Sequence, residues 1–306
     1  MVSMISMEKK FKINPDLKTE YTSFLDEYVA LGHISEVPPN APIKYYIPHH
    51  AVHKADSTTT KLRVVFNASA KTTSGISLNE CMMTGPKIQA NIFDIMLRWR
   101  LYPIVFTADV EKMYRQIQIS EEDRWYHGIL WRKNPTEPFG HTILNTVTYG
   151  TAAASFASVR TLHQLAQDEF DETIADKITK DFYVDDFISG AYSIEEAQNI
   201  VGKIQAIMSK GQFHLRKWTS NDQAALLAIK KEDIDQRNFE IDQSPTMKAL
   251  GIHWSPQEDT FTFKVNISPV SKFTKRTLVS DIAKLFDPMG WIAPVILKGK
   301  MLETQL

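Results

Sequence analysis

Apolar positions change their spacing several times along the chain, and each change marks an element. Near the N-terminus, Phe24, Leu25, Tyr28 and Leu31 recur at helical spacing, which predicts helix to about Glu36, closed by Gly32. "VPPNAP" (37–42) follows as a stiff linker and a domain boundary. Two strand-like runs, "IKYYIPHHAV" and "KLRVVFNAS", flank the polar turn "HKADSTTT". A helix is predicted over "IQANIFDIMLRWR", ending before Pro103, and the β-branched density of "PIVFTADV" predicts a buried strand. Then come a short helix near "SEEDRW", strands at "YHGILWRK" and "TILNTVTY", and a small-residue helix from Ala152 to about Phe170. Beyond a hairpin at "DFYVDDFISG", "SIEEAQNIVGKIQAIMSK" is amphipathic and opens on a capping box, Ser193 with Glu196. Strands at "FHLRKW" and "KALGIHW" and a basic helix near "TKRTLVSDIAKLF" complete the pattern.

The order strand, helix, strand pair, helix, strand predicts an α+β fold around a split βαβ, ferredoxin-like sheet with insertions. At 306 residues, 43% apolar and 23% charged, the chain has the composition of an ordinary globular protein with a sizeable core. No apolar run approaches the roughly 18–20 residues that span a bilayer, and no signal-peptide core follows the charges of "MEKKFK". The single cysteine, Cys81, excludes an internal disulfide and a cysteine-based zinc site, and suits a reducing compartment. A net charge of −1 does not decide between partners, since a neutral total can contain a basic channel. There is no P-loop pattern and no Asp-Thr/Ser-Gly protease loop. His49, His50 and His53 lack a nearby fourth ligand and are expected on a surface or template-side strand.

The chemistry concentrates in acids that sit where strands should be. Asp185 and Asp186 interrupt an aromatic and β-branched run, and Asp109 ends the comparable strand "PIVFTADV". An acidic pair at a hairpin tip is ordinarily solvated. Here, burial among apolar flanks would cost several kcal/mol unless something positive sat beside the pair. If the strands are neighbours, Asp109 and Asp185 converge at one sheet edge. Hard oxygen ligands select Mg²⁺ or Mn²⁺, and two such ions about 3.5–4 Å apart suit phosphoryl or nucleotidyl transfer.

"FYVDDF" resembles the Tyr-x-Asp-Asp box of reverse transcriptases, and "FTADVEKMYRQI" resembles their other catalytic box. "KLRVVFNASAKTTSGISLNE", "LRKWTSN" and "IAKLFDPMGWIAP" are similar to stretches of BEL/Pao-type LTR retrotransposon polyproteins, in their reverse transcriptase region. The likeness runs in order from about Tyr45 to Met301. It implies a right-hand polymerase: an N-terminal segment and linker (1–42), fingers (43–102), a palm (103–254) with a fingers insertion near 121–148, and a truncated thumb or start of connection (255–306). The implied activity is RNA-directed DNA synthesis from dNTPs on an RNA/DNA template-primer, with two Mg²⁺ or Mn²⁺ ions. The setting would be a cytoplasmic virus-like particle or retroelement ribonucleoprotein. Downstream RNase H and integrase regions would belong to the same polyprotein, of which this chain would be an incomplete piece, with no membrane partner.

By matching position, the resemblance makes Asp109 and Asp185 the main metal ligands and Asp186 an auxiliary one. Tyr114 would be the steric gate against a 2′-hydroxyl, Arg63 and Lys54 the triphosphate ligands of a fingertip turn, and Tyr149 and Gly150 neighbours of base and sugar. Lys217 would be a proton donor to pyrophosphate. Gly251 would belong to a primer-gripping hairpin, and Lys272, Lys275, Arg276 and Lys284 would track the nucleic-acid backbone. Each has a plainer reading: a core tyrosine, solvated turn cations, a loop-to-helix start, a snorkelling strand-end lysine, a bulge glycine, a charged helix face. The chain departs from the family at Ala154, where proline is usual, and at Asn67, where aspartate is common. A different class stays open: a retroelement remnant, inactive or incomplete, that only binds nucleic acid.

Overall fold

The computed structural model describes residues 2–53, 62–235, 247–249, 252–263, 274–285 and 287–305. The elements begin with α1 (Val2–Ile13), α2 (Pro15–Ala30), β1 (Ile34–Val37), β2 (His49–His53), β3 (Leu62–Phe66), α3 (Leu78–Cys81), α4 (Ile92–Trp99) and β4 (Ile104–Val110). They continue with α5 (Glu121–Arg124), β5 (Gly128–Trp131), β6 (Gly140–Leu144), α6 (Ala154–Gln167), α7 (Glu172–Lys180), β7 (Phe182–Tyr183), β8 (Asp186–Ala191), α8 (Ile194–Lys210) and β9 (Leu215–Ser220). Three short strands, β10 (Met247–Ala249), β11 (Ile252–Ser255) and β12 (Thr260–Thr262), precede α9 (Lys275–Ala283) and α10 (Ala293–Gln305). Among the described residues no helix is long and apolar enough to cross a membrane.

Two compact units form, Met1–Ile88 with Lys112–Thr161, and Gln89–Glu111 with Leu162–Leu306. The first therefore pools the N-terminal segment with most of the region expected as fingers and with a stretch wider than the expected 121–148 insertion. Its helix α2 starts on an Asn14 cap with Pro15 at its first position and Leu17 donating to the Asn14 side chain. Leu17, Tyr21, Leu25 and Tyr28 form its buried stripe against β2, β3 and β5. Leu31, expected on that stripe, is instead the exposed C-cap, and the helix stops there because Gly32 turns the chain at φ +70. The stretch to Glu36 then continues as strand β1, paired with β6. His49 is likewise a correction: it lies in the core, not on a surface strand, taking a hydrogen bond from the Tyr21 hydroxyl at Nδ1 and donating from Nε2 to Leu130 O (3.0 Å). Burial pushes its pKa down to about 4, so it packs as a neutral ring.

The second unit holds an antiparallel four-stranded sheet in the order β7-β8-β4-β9. The central strand β4 is hydrogen-bonded on both edges and carries buried residues on both faces. On one face Phe106, Phe187 and Trp218 meet with ring centroids 6.0–6.4 Å apart. On the same unit, α8 buries Ala197, Ile200, Val201, Ile204 and Met208. Another cluster joins Val105 and Ile188 to Ile95, Met96 and Trp99 of α4 and to Trp254 of β11. The α8 N-terminus keeps half of its expected capping box. Ser193 accepts from the Glu196 N–H, while the Glu196 carboxylate takes the N–H of Tyr192 rather than of the cap. Helix α7, unforeseen from the sequence, is capped by Asp171 and delivers the chain into β7; α10 is a further helix the pattern did not mark.

Trp218 of β9 is fully buried against Phe106 and Phe187. Trp218→Ala is expected to destabilise the fold by about 3–5 kcal/mol in chemical denaturation. Leu227→Ala, at a side chain 77% exposed, should stay within about 0.5 kcal/mol of the parent.

Candidate active site

The β4–β8 register sets Asp109 directly opposite Asp186. Between β7 and β8 the chain reverses through Val184 and Asp185, with Tyr183 paired to Asp186. Val110 N–H donates to Asp185 O (2.8 Å), which ties that turn to the end of β4. All three sequence-predicted acids therefore stand at one end of one sheet. Val184 holds φ +55, a left-handed conformation that costs a β-branched residue about 1–2 kcal/mol and survives only where its surroundings impose it.

Lys217 arrives from the other side by an irregularity. The β4–β9 register pairs Thr107 with Thr219 but Asp109 with Arg216, so β9 carries one extra residue. Lys217 sits in that bulge at φ +55. Strict alternation would send Lys217 to the face of Leu215. The extra residue leaves Arg216 and Lys217 both accessible while Leu215 and Trp218 stay buried. The result is two ion pairs at the sheet end, Lys217 Nζ with Asp109 Oδ2 (2.5 Å) and Arg216 Nη1 with Glu111 Oε1 (2.5 Å).

Asp186 carries the electrostatic cost. Burial first, then the charges of Asp185 and Asp109, push its carboxyl up to about 7, with Lys217 opposing them. Like charges facing each other on adjacent strands repel, and the ammonium of Lys217 relieves part of that repulsion. Among the described residues, no three His, Cys, Asp or Glu side chains are gathered closely enough to hold one metal ion. The acids share an edge without forming a closed cage. As chemistry, carboxylate oxygens short of positive charge fit a hard divalent cation.

Below the turn, the hairpin is anchored by a buried network that the sequence pattern did not single out. Asp181 accepts from Arg98 Nε (3.2 Å) and Ser189 Oγ (2.7 Å), while Lys177 Nζ donates to Ser189 Oγ (3.1 Å) and Gly190 O (3.0 Å). Burial lowers the pKa of Lys177 and the neighbouring Asp181 opposes that shift. The signal lay in the sequence as Lys177 and Asp181 one helical turn apart, ahead of an apolar strand.

The remaining predicted residues lie in the first unit, in α9 of the second, or outside the described residues. Tyr114 stands half-buried on a 3₁₀ turn entered through Lys112 at φ 50. Its ring meets Tyr149 edge-on at 5.3 Å, and its hydroxyl lies 3.4 Å from Ser155 Oγ. Beneath them Arg115 is buried with its guanidinium 4.0 Å from the Tyr28 ring centre and 5.5 Å from that of Tyr149. Gly150, at φ +88, could not carry a side chain: a Cβ would lie 2.0 Å from Phe66 O. Its close backbone approach is thus to β3. Asn79, absent from the sequence-based set, clamps this loop by donating to Gly150 O and accepting from Ala152 N–H, both 2.8 Å. Arg63 projects to solvent between buried Leu62 and Val64. Lys275 and Arg276 are exposed in the first turn of α9, after the Thr274 cap. Lys284 pairs with Asp281. Lys54, Gly251 and Lys272 lie outside the described residues.

The raised carboxyl of Asp186 makes folding pH-dependent. Between the unfolded carboxyl range, about 3.9, and about 7 the folded state binds the extra proton, so stability falls as pH rises through this window. Asp186→Asn should remove that loss. In urea denaturation the variant is expected to exceed the parent at pH 8 and to converge with it near pH 4; parallel profiles would mean that Asp186 ionises freely.

Comparison with known families finds a match near the C-terminal end of the sequence. Residues 274–306 are similar to the family described as Pao retrotransposon-like RNaseH-like domain, within the stretch expected from the sequence as thumb or start of connection. No curated protein matches the chain. The family match supports an origin in a BEL/Pao retrotransposon polyprotein.

Proposed function

We propose that this chain is the reverse transcriptase segment of a BEL/Pao-type retroelement polyprotein, extending a primer with dNTPs on an RNA or DNA template. The observation that carries the reading is the shared sheet end of Asp109, Asp185 and Asp186, with Lys217 bulged in beside them. The order β7-β8-β4-β9 is that of a split βαβ sheet and supports a polymerase palm. The family match over residues 274–306 supports the retroelement origin.

Asp109 and Asp185, with Asp186 beside them, would hold two Mg²⁺ or Mn²⁺ ions. Such ions activate a primer 3′-hydroxyl and stabilise the leaving pyrophosphate. Lys217 keeps Asp109 neutralised in the meantime, and its ammonium carries a proton suited to the leaving group. Tyr114 acts as the sugar gate, its ring set by Tyr149 and the Arg115 packing behind it. Arg63 is a triphosphate ligand, a role that its solvent-facing position allows. Lys275 and Arg276 sit where a helix dipole disfavours cations, so helix stability does not explain them and a phosphate backbone would.

The test is primer extension by the full chain on RNA and DNA templates with Mg²⁺. Asp185→Asn is expected to lose at least about a hundredfold in rate, and Lys217→Ala about a hundredfold in kcat. A folded, template-binding wild type that never extends a primer would favour the inactive remnant. Undiminished extension by Asp185→Asn would remove the site assignment. Tyr114→Ala should relax discrimination against rNTPs by about 10–200-fold, and unchanged sugar selectivity would remove the gate.

A further inference from the structure

Among the described residues strand β7 is the outer strand of its sheet, and on its open side the carbonyl of Phe182 and the N–H of Val184 meet no neighbouring strand there. One side chain meets both. Gln89, ahead of α4, donates from Nε2 to Phe182 O (2.9 Å) and accepts at Oε1 from Val184 N–H (2.9 Å). A carboxamide presents one donor and one acceptor side by side, the same pair that a strand backbone would present. The amide thus acts as a one-residue strand, placed on the two groups that bracket Tyr183 and enter the left-handed Val184.

We propose that Gln89 is a positioning residue for the acidic turn: it holds Val184 in its strained conformation and so fixes the direction in which Asp185 points. The inference rests on the reading of Asp185 as a divalent-cation ligand, and it supplies that ligand with an outer support. Outer partners of metal ligands set affinity and orientation without touching the ion. No other residue type supplies both halves at this reach. Glutamate keeps the acceptor for Val184 but turns a carboxylate oxygen toward the Phe182 carbonyl. Asparagine is one methylene short, and alanine leaves both groups open.

The test compares wild type, Gln89→Ala and Gln89→Glu in the full chain by backbone amide exchange and by titration with Mn²⁺ alone. Gln89→Ala is expected to speed exchange at Val184 at least tenfold while Phe106, in the central strand β4, keeps its protection. Mn²⁺ affinity should fall about tenfold, and primer extension should lose kcat with dNTP KM within about twofold. Gln89→Glu should weaken Mn²⁺ binding while retaining partial protection at Val184, and it stands in for Gln89→Ala if that variant does not fold. Unchanged exchange at Val184 in both variants would overturn the clamp. Faster exchange with unchanged Mn²⁺ affinity would overturn the positioning role. If the wild type itself binds no Mn²⁺, the cation reading fails, and the exchange data alone then decide whether Gln89 holds the turn.

Discussion

A single antiparallel rung, Asp109 opposite Asp186, is the constraint around which the second unit is arranged. Two carboxylates facing each other across a ladder repel, and burial of one makes the repulsion worse. The sheet withstands this because its two faces are filled. Phe106, Phe187 and Trp218 pack on one side, and Val105 and Ile188 pack with α4 on the other. The apolar stretches that flank the acids are therefore the means of holding them, and the strain is confined to the strand ends.

Relief of that repulsion comes from irregular backbone. Regular alternation in β9 would have buried Lys217, and the bulge brings it to Asp109 instead. Val184, on the opposite edge, is likewise left-handed where its side chain opposes it. Both departures flank the same three acids, which is where stored backbone strain is expected if the arrangement is selected for something other than stability. At the other end of the hairpin, Asp181 is a buried acid with full partners in Arg98 and Ser189. The contrast is instructive: Asp181 is satisfied within the protein, whereas Asp186 has its pKa raised to about 7.

Much of this was legible in the sequence, in an uneven way. The β-branched run ending at Asp109, the hairpin around Asp185 and the amphipathic helix after it are read from spacing alone, because burial on a pleated surface demands those residues. Lys217 could be named but not placed, since a one-residue bulge leaves no mark in composition. The missed helix α7 is short and carries charges on most of its surface, so its few buried positions, Ile174, Lys177 and Ile178, do not stand out. His49 looked solvent-facing beside His50 and His53. It is core because the Tyr21 hydroxyl and the Leu130 carbonyl satisfy both its nitrogens, and those partners are remote in the chain. Asn79 and Arg98 escaped notice for the same reason: each acts on a segment more than 70 residues away.

The rung has one more consequence. Asp109 and Asp186 are brought together by strand pairing and not by the length of chain between them. The excursion that follows Val110, which includes α5, β5, β6 and α6, leaves the sheet without setting their separation, and the chain returns through α7, whose Lys177 anchors the hairpin. That excursion can lengthen, shorten or acquire a new lobe over evolutionary time, and the distance between the two acids stays one strand spacing. The chemistry at the sheet end and the architecture of everything inserted before it are thereby free to diverge independently.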